Sequence, residues 1–137
     1  MILNVIAVFD KSRTKCLFCK RRKDPYKGLY NFVGGHAEKG EDGFTAAYRE
    51  LYEETGITKA DIHLIHLMDF TYCLYNETVE VYFGYLSEDI EVHGDENELL
   101  WLDRNQDFFS MERFAGEGNI GHIIEHIKLY EKNNSGG

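Results

Sequence analysis

The sequence predicts an α/β domain, and three observations carry that prediction. Apolar runs of strand length are interspersed with two stretches of helical periodicity, and glycines or charge clusters mark the boundaries between them. A chain of 137 residues with 43% hydrophobic content can build one core and leaves no room for a second of useful size.

The elements follow in order. Asn4 to Asp10 and Lys15 to Lys20 read as strands joined by a turn around Lys11 to Thr14, an opening hairpin. The apolar run Met1 to Phe9 is short, lacks a basic leader and ends at Asp10 and Lys11, so it reads as a first strand and not as a signal peptide or membrane span. The basic run Lys20 to Lys23 leads to the single proline, Pro25, and residues 21 to 28 are expected to be a loop. Leu29 to Val33 is a short strand ended by Gly34 and Gly35.

From Asp42 to Thr55 the period becomes helical, with Phe44, Tyr48 and Leu51 forming an apolar stripe and Gly56 supplying the stop. Ile62 to Tyr75 and Thr78 to Ser87 are long strands joined by a tight turn at Asn76-Glu77. Glu88 to Glu98 is a solvated acidic loop, Leu99 to Leu102 a last strand, and Ile120 to Tyr130 a helix with Ile123, Ile124 and Ile127 on one face. The single domain is expected to span residues 1–132, with 133–137 as a flexible tail.

Fifteen basic against 24 acidic residues leave a net charge of −9, which argues against binding duplex nucleic acid by phosphate neutralisation and implies that a phosphate-bearing substrate arrives with metal ions. Three cysteines form no disulfide framework, so a reducing, cytoplasmic setting is expected. Cys16 and Cys19 would point to opposite faces of a strand, which disfavours a zinc pair. The pattern His122-Ile-Ile-Glu125-His126 has no third ligand downstream, so an ordinary helix is the better reading. Monomer and homodimer both remain open.

The first helix carries the chemistry. At about 100° per residue, Glu50, Glu53 and Glu54 share one face, opposite Phe44, Tyr48, Leu51 and Tyr52. One turn earlier Ala46 and Ala47 are small enough to leave room for a ligand. An ordinary exposed face would interleave lysines at i+4, whereas here like charges stand at i and i+4. That arrangement suits hard cations, which take carboxylate oxygens and are commonly shared with substrate phosphates.

Gly35, five residues, Glu41, seven residues, Arg49-Glu50-Leu51, Tyr52, Glu53-Glu54, Thr55 and Gly56-Ile57 fit the 23-residue Nudix box throughout. The chain therefore resembles the Nudix hydrolases, and its MutT-like branch in particular. The resemblance implies an α/β/α sandwich around a mixed sheet and metal-dependent cleavage of a nucleoside diphosphate linked to another moiety. It implies Glu50, Glu53 and Glu54 as ligands for Mg2+, or Mn2+, with Glu53 also the candidate base, Arg49 as the holder of a carboxylate, and the Gly35 carbonyl as a further ligand. Glu96, five residues before Trp101, matches the position of an additional acid in the oxidised-nucleotide branch, with Glu98 as the near alternative.

Substrate choice rests on three weaker features of the same resemblance. Asn31 stands before Phe32-Val33-Gly34-Gly35, where the branch carries a base-reading Asn; Phe114 to Asn119, including Glu117, occupies the region of an aromatic platform and purine-edge contacts; Arg21 falls where a basic residue meets phosphates. These imply an oxidised purine nucleoside triphosphate such as 8-oxo-dGTP. Each has a plainer reading: Asn31 as a turn residue, Asn119 as a helix cap, Arg21 as part of a solvated loop. His36 departs from the usual Lys of MutT-type enzymes, and Tyr72 lies near a tyrosine position of dinucleoside polyphosphate (Ap4A-type) hydrolases, which keeps that class as the alternative, beside a non-catalytic nucleotide-binding domain.

Overall fold

The computed structural model describes residues 1–135 and consists of a six-stranded mixed sheet and two long helices. Strands β1 (Ile2–Phe9), β2 (Lys15–Lys20) and β3 (Tyr30–Asn31) precede helix α1 (Gly43–Thr55); β4 (Ile65–Tyr72), β5 (Glu77–Tyr85) and β6 (Glu98–Asp103) precede helix α2 (Asn119–Ser135). Strand order is β3-β2-β1-β5-β4, with β6 on β2; β1 and β5 run parallel and the remaining pairs antiparallel.

Period-two alternation sends successive side chains to opposite faces. Ile6 and Val8 of β1, Leu17 and Cys19 of β2 and Tyr82 of β5 pack with Ala47 and Leu51 of α1. Ala7, Phe9, Cys16, Phe18, Val81 and Phe83 pack instead with Ile120, Ile123, Ile124 and Ile127 of α2. The result is the expected α/β/α sandwich, each helix burying one stripe against one sheet face. The cysteine pair is split between the two cores, as its spacing predicts.

Strands β1 and β2 hold their hairpin register only at Phe9–Cys16 and then diverge. The chain leaving β3 fills the wedge: Asn31 still pairs with Cys19 of β2, whereas Val33 and His36 bridge to Ile6 and Leu3 of β1. Gly34 and Gly35 therefore sit in the gap between β1 and β2, beneath α1.

Several expectations change. The apolar stripe of α1 is displaced: its buried residues are Ala46, Ala47, Leu51 and Thr55, while Phe44 and Tyr52 are exposed. Ala46 and Ala47 leave no room for a ligand, because both are fully buried; small residues there allow close packing against neighbouring structure. The Asn76 turn is preceded by a 3₁₀ turn at Cys73–Tyr75, so β4 ends at Tyr72. Helix α2 continues to Ser135, through the first part of the stretch read as a tail, and residues 136–137 lie outside the described residues.

Candidate functional site

The site begins with how α1 is placed. Asp42 caps it, its side chain accepting the Thr45 N–H at 2.9 Å, and Gly56 ends it at φ 82°. Between those ends Glu50, Glu53 and Glu54 line one cavity of about 280 Å3 together with Asp95, Glu96, Asn97, Cys19 and Leu99. The carboxylates of the helix face and Glu96 of the acidic loop thus converge, whereas Glu98 is drawn into β6 opposite Lys20.

Arg49 organises the rim. Its guanidinium donates to Glu41 at 2.8 and 3.0 Å, to Glu50 at 3.0 Å, to Glu53 at 3.2 Å and to the His36 carbonyl at 2.9 Å. The Arg49 hydrogen bonds hold the Glu41 carboxyl well down, to about 2. Glu41 belongs to the spaced pattern, yet its duty as the main anchor of Arg49 emerges only with the geometry.

The two glycines bring backbone against these acids. The Gly34 N–H donates to Glu54 at 2.8 Å, and a Cβ on Gly34, whose φ is +146°, would stand 2.1 Å from the Asn4 carbonyl oxygen. A Cβ on Gly35 would meet the Glu50 carboxylate at 2.4 Å. The Gly35 carbonyl already accepts the Asn4 N–H at 2.8 Å. Glu54 is half-buried, and burial pushes its carboxyl up to about 7, with Glu50, Glu96 and Glu53 adding repulsion. Crowded, partly desolvated carboxylates with one shared arginine fit a hard divalent cation: an oxygen-only donor set of surplus negative charge.

A second cavity, of about 530 Å3, opens on the other face of the sheet. Asn31, Tyr72, Tyr26, Glu117, Asn119 and Phe70 are among its lining residues. Asn31 Oδ1 accepts the Phe32 N–H at 2.9 Å, which fixes the amide and leaves its Nδ2 donor and one Oδ1 lone pair for a ligand. Asn119 donates Nδ2 to the Tyr72 hydroxyl at 2.6 Å, and Tyr26 donates its hydroxyl to Glu117 at 2.8 Å. Both Tyr26 (φ 66°) and Glu117 (φ 50°) adopt left-handed backbone, uncommon for such residues and a mark of a constrained rim. The two cavities approach one another where Cys19 of the first and Asn31 of the second are register partners.

Two expected substrate residues fall elsewhere. Phe114 is not a platform for a base: it is 1% exposed, packed with Phe18, Phe108 and Tyr30. Among the aromatic side chains that line the cavity, Tyr72 and Tyr75 are the exposed ones. Arg21 belongs to neither lining among the described residues; its Nε donates to the Pro25 carbonyl at 2.7 Å. Tyr26 joins the lining without a signal in sequence, because nothing in a loop sequence announces a left-handed residue. Near the other end of α1, His66, Asp69 and Glu80 gather with ligand atoms within 4.8 Å, but His66 and Asp69 already bond each other at 2.6 Å.

Fold and site define the class: an α/β/α sandwich whose glutamate-bearing helix meets a glycine turn set between two strands of the sheet. The chain belongs to the Nudix family, the NUDIX domain matching residues 2–125. It is 36% identical over 59 residues to an RNA pyrophosphohydrolase of Pelagibacter ubique, covering 43% of this chain and 37% of that protein. It is 45% identical over 51 residues to nucleoside diphosphate-linked moiety X motif 6 of Mus musculus, covering 37% of this chain and 16% of that one. The matches thus span well under half the length of either relative. The E. coli dihydroneopterin triphosphate pyrophosphohydrolase is similar in fold, with a TM-score of 0.73 at 19% identity over 94% of this chain and 95% of that one. Among the described residues no helix is long and apolar enough to cross a membrane.

Proposed function

We propose that the chain is a Mg2+- or Mn2+-dependent pyrophosphohydrolase that cleaves a nucleoside triphosphate bearing an oxidised purine, such as 8-oxo-dGTP, to the monophosphate and pyrophosphate. The observation that carries this reading is the approach of an acidic cavity and an amide-lined cavity at the strand pair Cys19 and Asn31. One accommodates cations and phosphate, the other a base. A reducing cytoplasm suits the free Cys16, Cys19 and Cys73.

Glu50, Glu53, Glu54 and Glu96 would hold the cations, with the second lone pair of the Gly35 carbonyl as a further donor. A bound cation supplies two things, a lowered pKa for coordinated water and neutralisation of diphosphate charge. Arg49 holds Glu50 and Glu41 in place, and its reach to Glu53 orients the most exposed carboxylate of the three, whose side chain is 56% accessible. Glu53 is therefore positioned to take the proton of the attacking water. Asn31 contributes a donor to the base edge, and Asn119 and Glu117 flank it from α2 and its preceding turn.

Dinucleoside polyphosphate hydrolysis is the second reading, favoured by the exposed Tyr72 and Tyr75 beside the cavity. Measuring kcat/KM of the parent, Asn31→Ala and Asn119→Ala on 8-oxo-dGTP, dGTP and diadenosine tetraphosphate separates the two. A base edge left unpaired costs about 1–3 kcal/mol, or roughly a 5- to 150-fold loss, and the loss should be larger for the oxidised purine. Equal losses on both dGTP forms would remove the base-reading role, and a parent preferring the dinucleotide would promote the second reading.

A further inference from the structure

Asn4 is out of place by composition. It stands on the strand face that also carries Ile6 and Val8, where packing alone would favour an aliphatic side chain, and it is 3% exposed. Among the described residues the other buried polar one, Thr55, is accounted for by its helix end: its hydroxyl donates to the Leu51 carbonyl and accepts the Ile57 N–H. Asn4 is different. Its Nδ2 has no partner among the described residues, an arrangement that destabilises a fold unless the side chain secures something else.

What it secures is the glycine turn. The Asn4 N–H donates to the Gly35 carbonyl at 2.8 Å, and the Gly35 N–H donates back to Asn4 Oδ1 at 2.9 Å. One residue thereby clasps both sides of Gly35. From that fixed turn the Gly34 N–H reaches Glu54 at 2.8 Å, and Gly35 lies so close to the Glu50 carboxylate that no side chain fits between them. The path from β1 to the acidic face is short: Asn4, the Gly34–Gly35 turn, then Glu50 and Glu54.

We propose that Asn4 is a positioning residue for the cation-binding carboxylates, acting through the Gly34–Gly35 turn that it clasps. The proposal rests on the reading of Glu50 and Glu54 as cation ligands. Asn4 touches neither substrate nor cation; it fixes the backbone against which both carboxylates are set.

The test uses Asn4→Leu, nearly the same size and without the acceptor, with Asn4→Asp retaining an acceptor oxygen. Hydrogen exchange at the Gly35 amide is measured on the metal-free chain, and Mn2+ affinity is measured by electron paramagnetic resonance. In Asn4→Leu, Gly35 should exchange at least about tenfold faster and Mn2+ bind about tenfold more weakly, with a Tm within a few degrees of the parent. Asn4→Asp should return Gly35 exchange to within about threefold of the parent. A packing role alone would move Tm and leave the Mn2+ affinity of the folded protein unchanged. The proposal is overturned by a folded Asn4→Leu with parental exchange and parental Mn2+ affinity. It is equally overturned if Gly35 in the unmodified chain exchanges as fast as an exposed loop amide, a measurement that needs no variant. A parent that takes up no Mn2+ would instead refute the reading of the carboxylates, and Gly35 exchange would still decide the role of Asn4.

Discussion

Glu54 shows how a single residue can serve a site against the interest of the fold. Its carboxyl is raised from 4.5 to about 7, so the folded chain holds that proton more tightly than the unfolded chain does. The associated stability is complete below about pH 4.5 and lost as pH rises through 7. Metal-free Glu54→Gln should therefore melt above the parent at pH 8, with the difference vanishing near pH 5, in parallel thermal melts. Divalent metal should raise the parent's Tm at pH 8 and do so less for the variant. Glu53→Gln and Glu54→Gln should each lower kcat by about 10²- to 10⁴-fold with the fold intact, because neither change touches the buried stripe of Ala47, Leu51 and Thr55. Near-normal turnover in either folded variant would remove the helix face from the mechanism. For the same electrostatic reasons hydrolysis should need divalent metal and rise from about pH 6 toward about pH 8 or 9, as bound water and the crowded acids deprotonate; a flat profile in chelator would contradict this.

At the scale of elements, helix α1 and the turn before it make separable demands. Asp42→Ala removes the cap and should lower stability by about 1 kcal/mol in denaturant titration. The adjacent glycines should fail differently. Gly34→Ala meets backbone at 2.1 Å and should compromise folding, whereas Gly35→Ala meets a side-chain carboxylate at 2.4 Å and should fold with weakened metal affinity. The helix, its stop at Gly56 and its three glutamates were legible because periodicity, capping and box spacing are local properties. The buried side of α1 was less so: Phe44 and Tyr48 outweigh two alanines in a hydrophobic pattern, yet alanines are what close packing selects. Asn4 shows the same limit, since the strand it interrupts is evident in sequence and its bond to Gly35, 31 positions on, is not. The burial of Phe114 and the place of Tyr26 at the cavity were not legible, because burial and left-handed backbone at a loop are set by tertiary packing.

For the whole molecule the acids lie on the α1 side of the sheet and the amide-lined cavity on the α2 side, and the two approach at the Cys19–Asn31 pair. Losses from Glu53→Gln and Asn119→Ala should accordingly add in the double variant, the first equal across substrates and the second dependent on the base. A strong departure from additivity in kcat/KM would mean that the two cavities act as one. Arg104, bonded to Glu131 of α2 at 2.6 and 3.0 Å, ties that helix to the end of β6 independently of either cavity. The divergence of β1 from β2 gives this plan its latitude. Because the chain of residues 30–36 hands over from one strand to the other inside that gap, the glycine turn that meets Glu50 and Glu54 is anchored to β1, whereas much of the amide-lined cavity is walled by α2, its preceding turn and the β4–β5 hairpin. On the proposed reading, substitutions in α2 or the hairpin would alter which base is accepted while leaving the cation-holding turn unmoved.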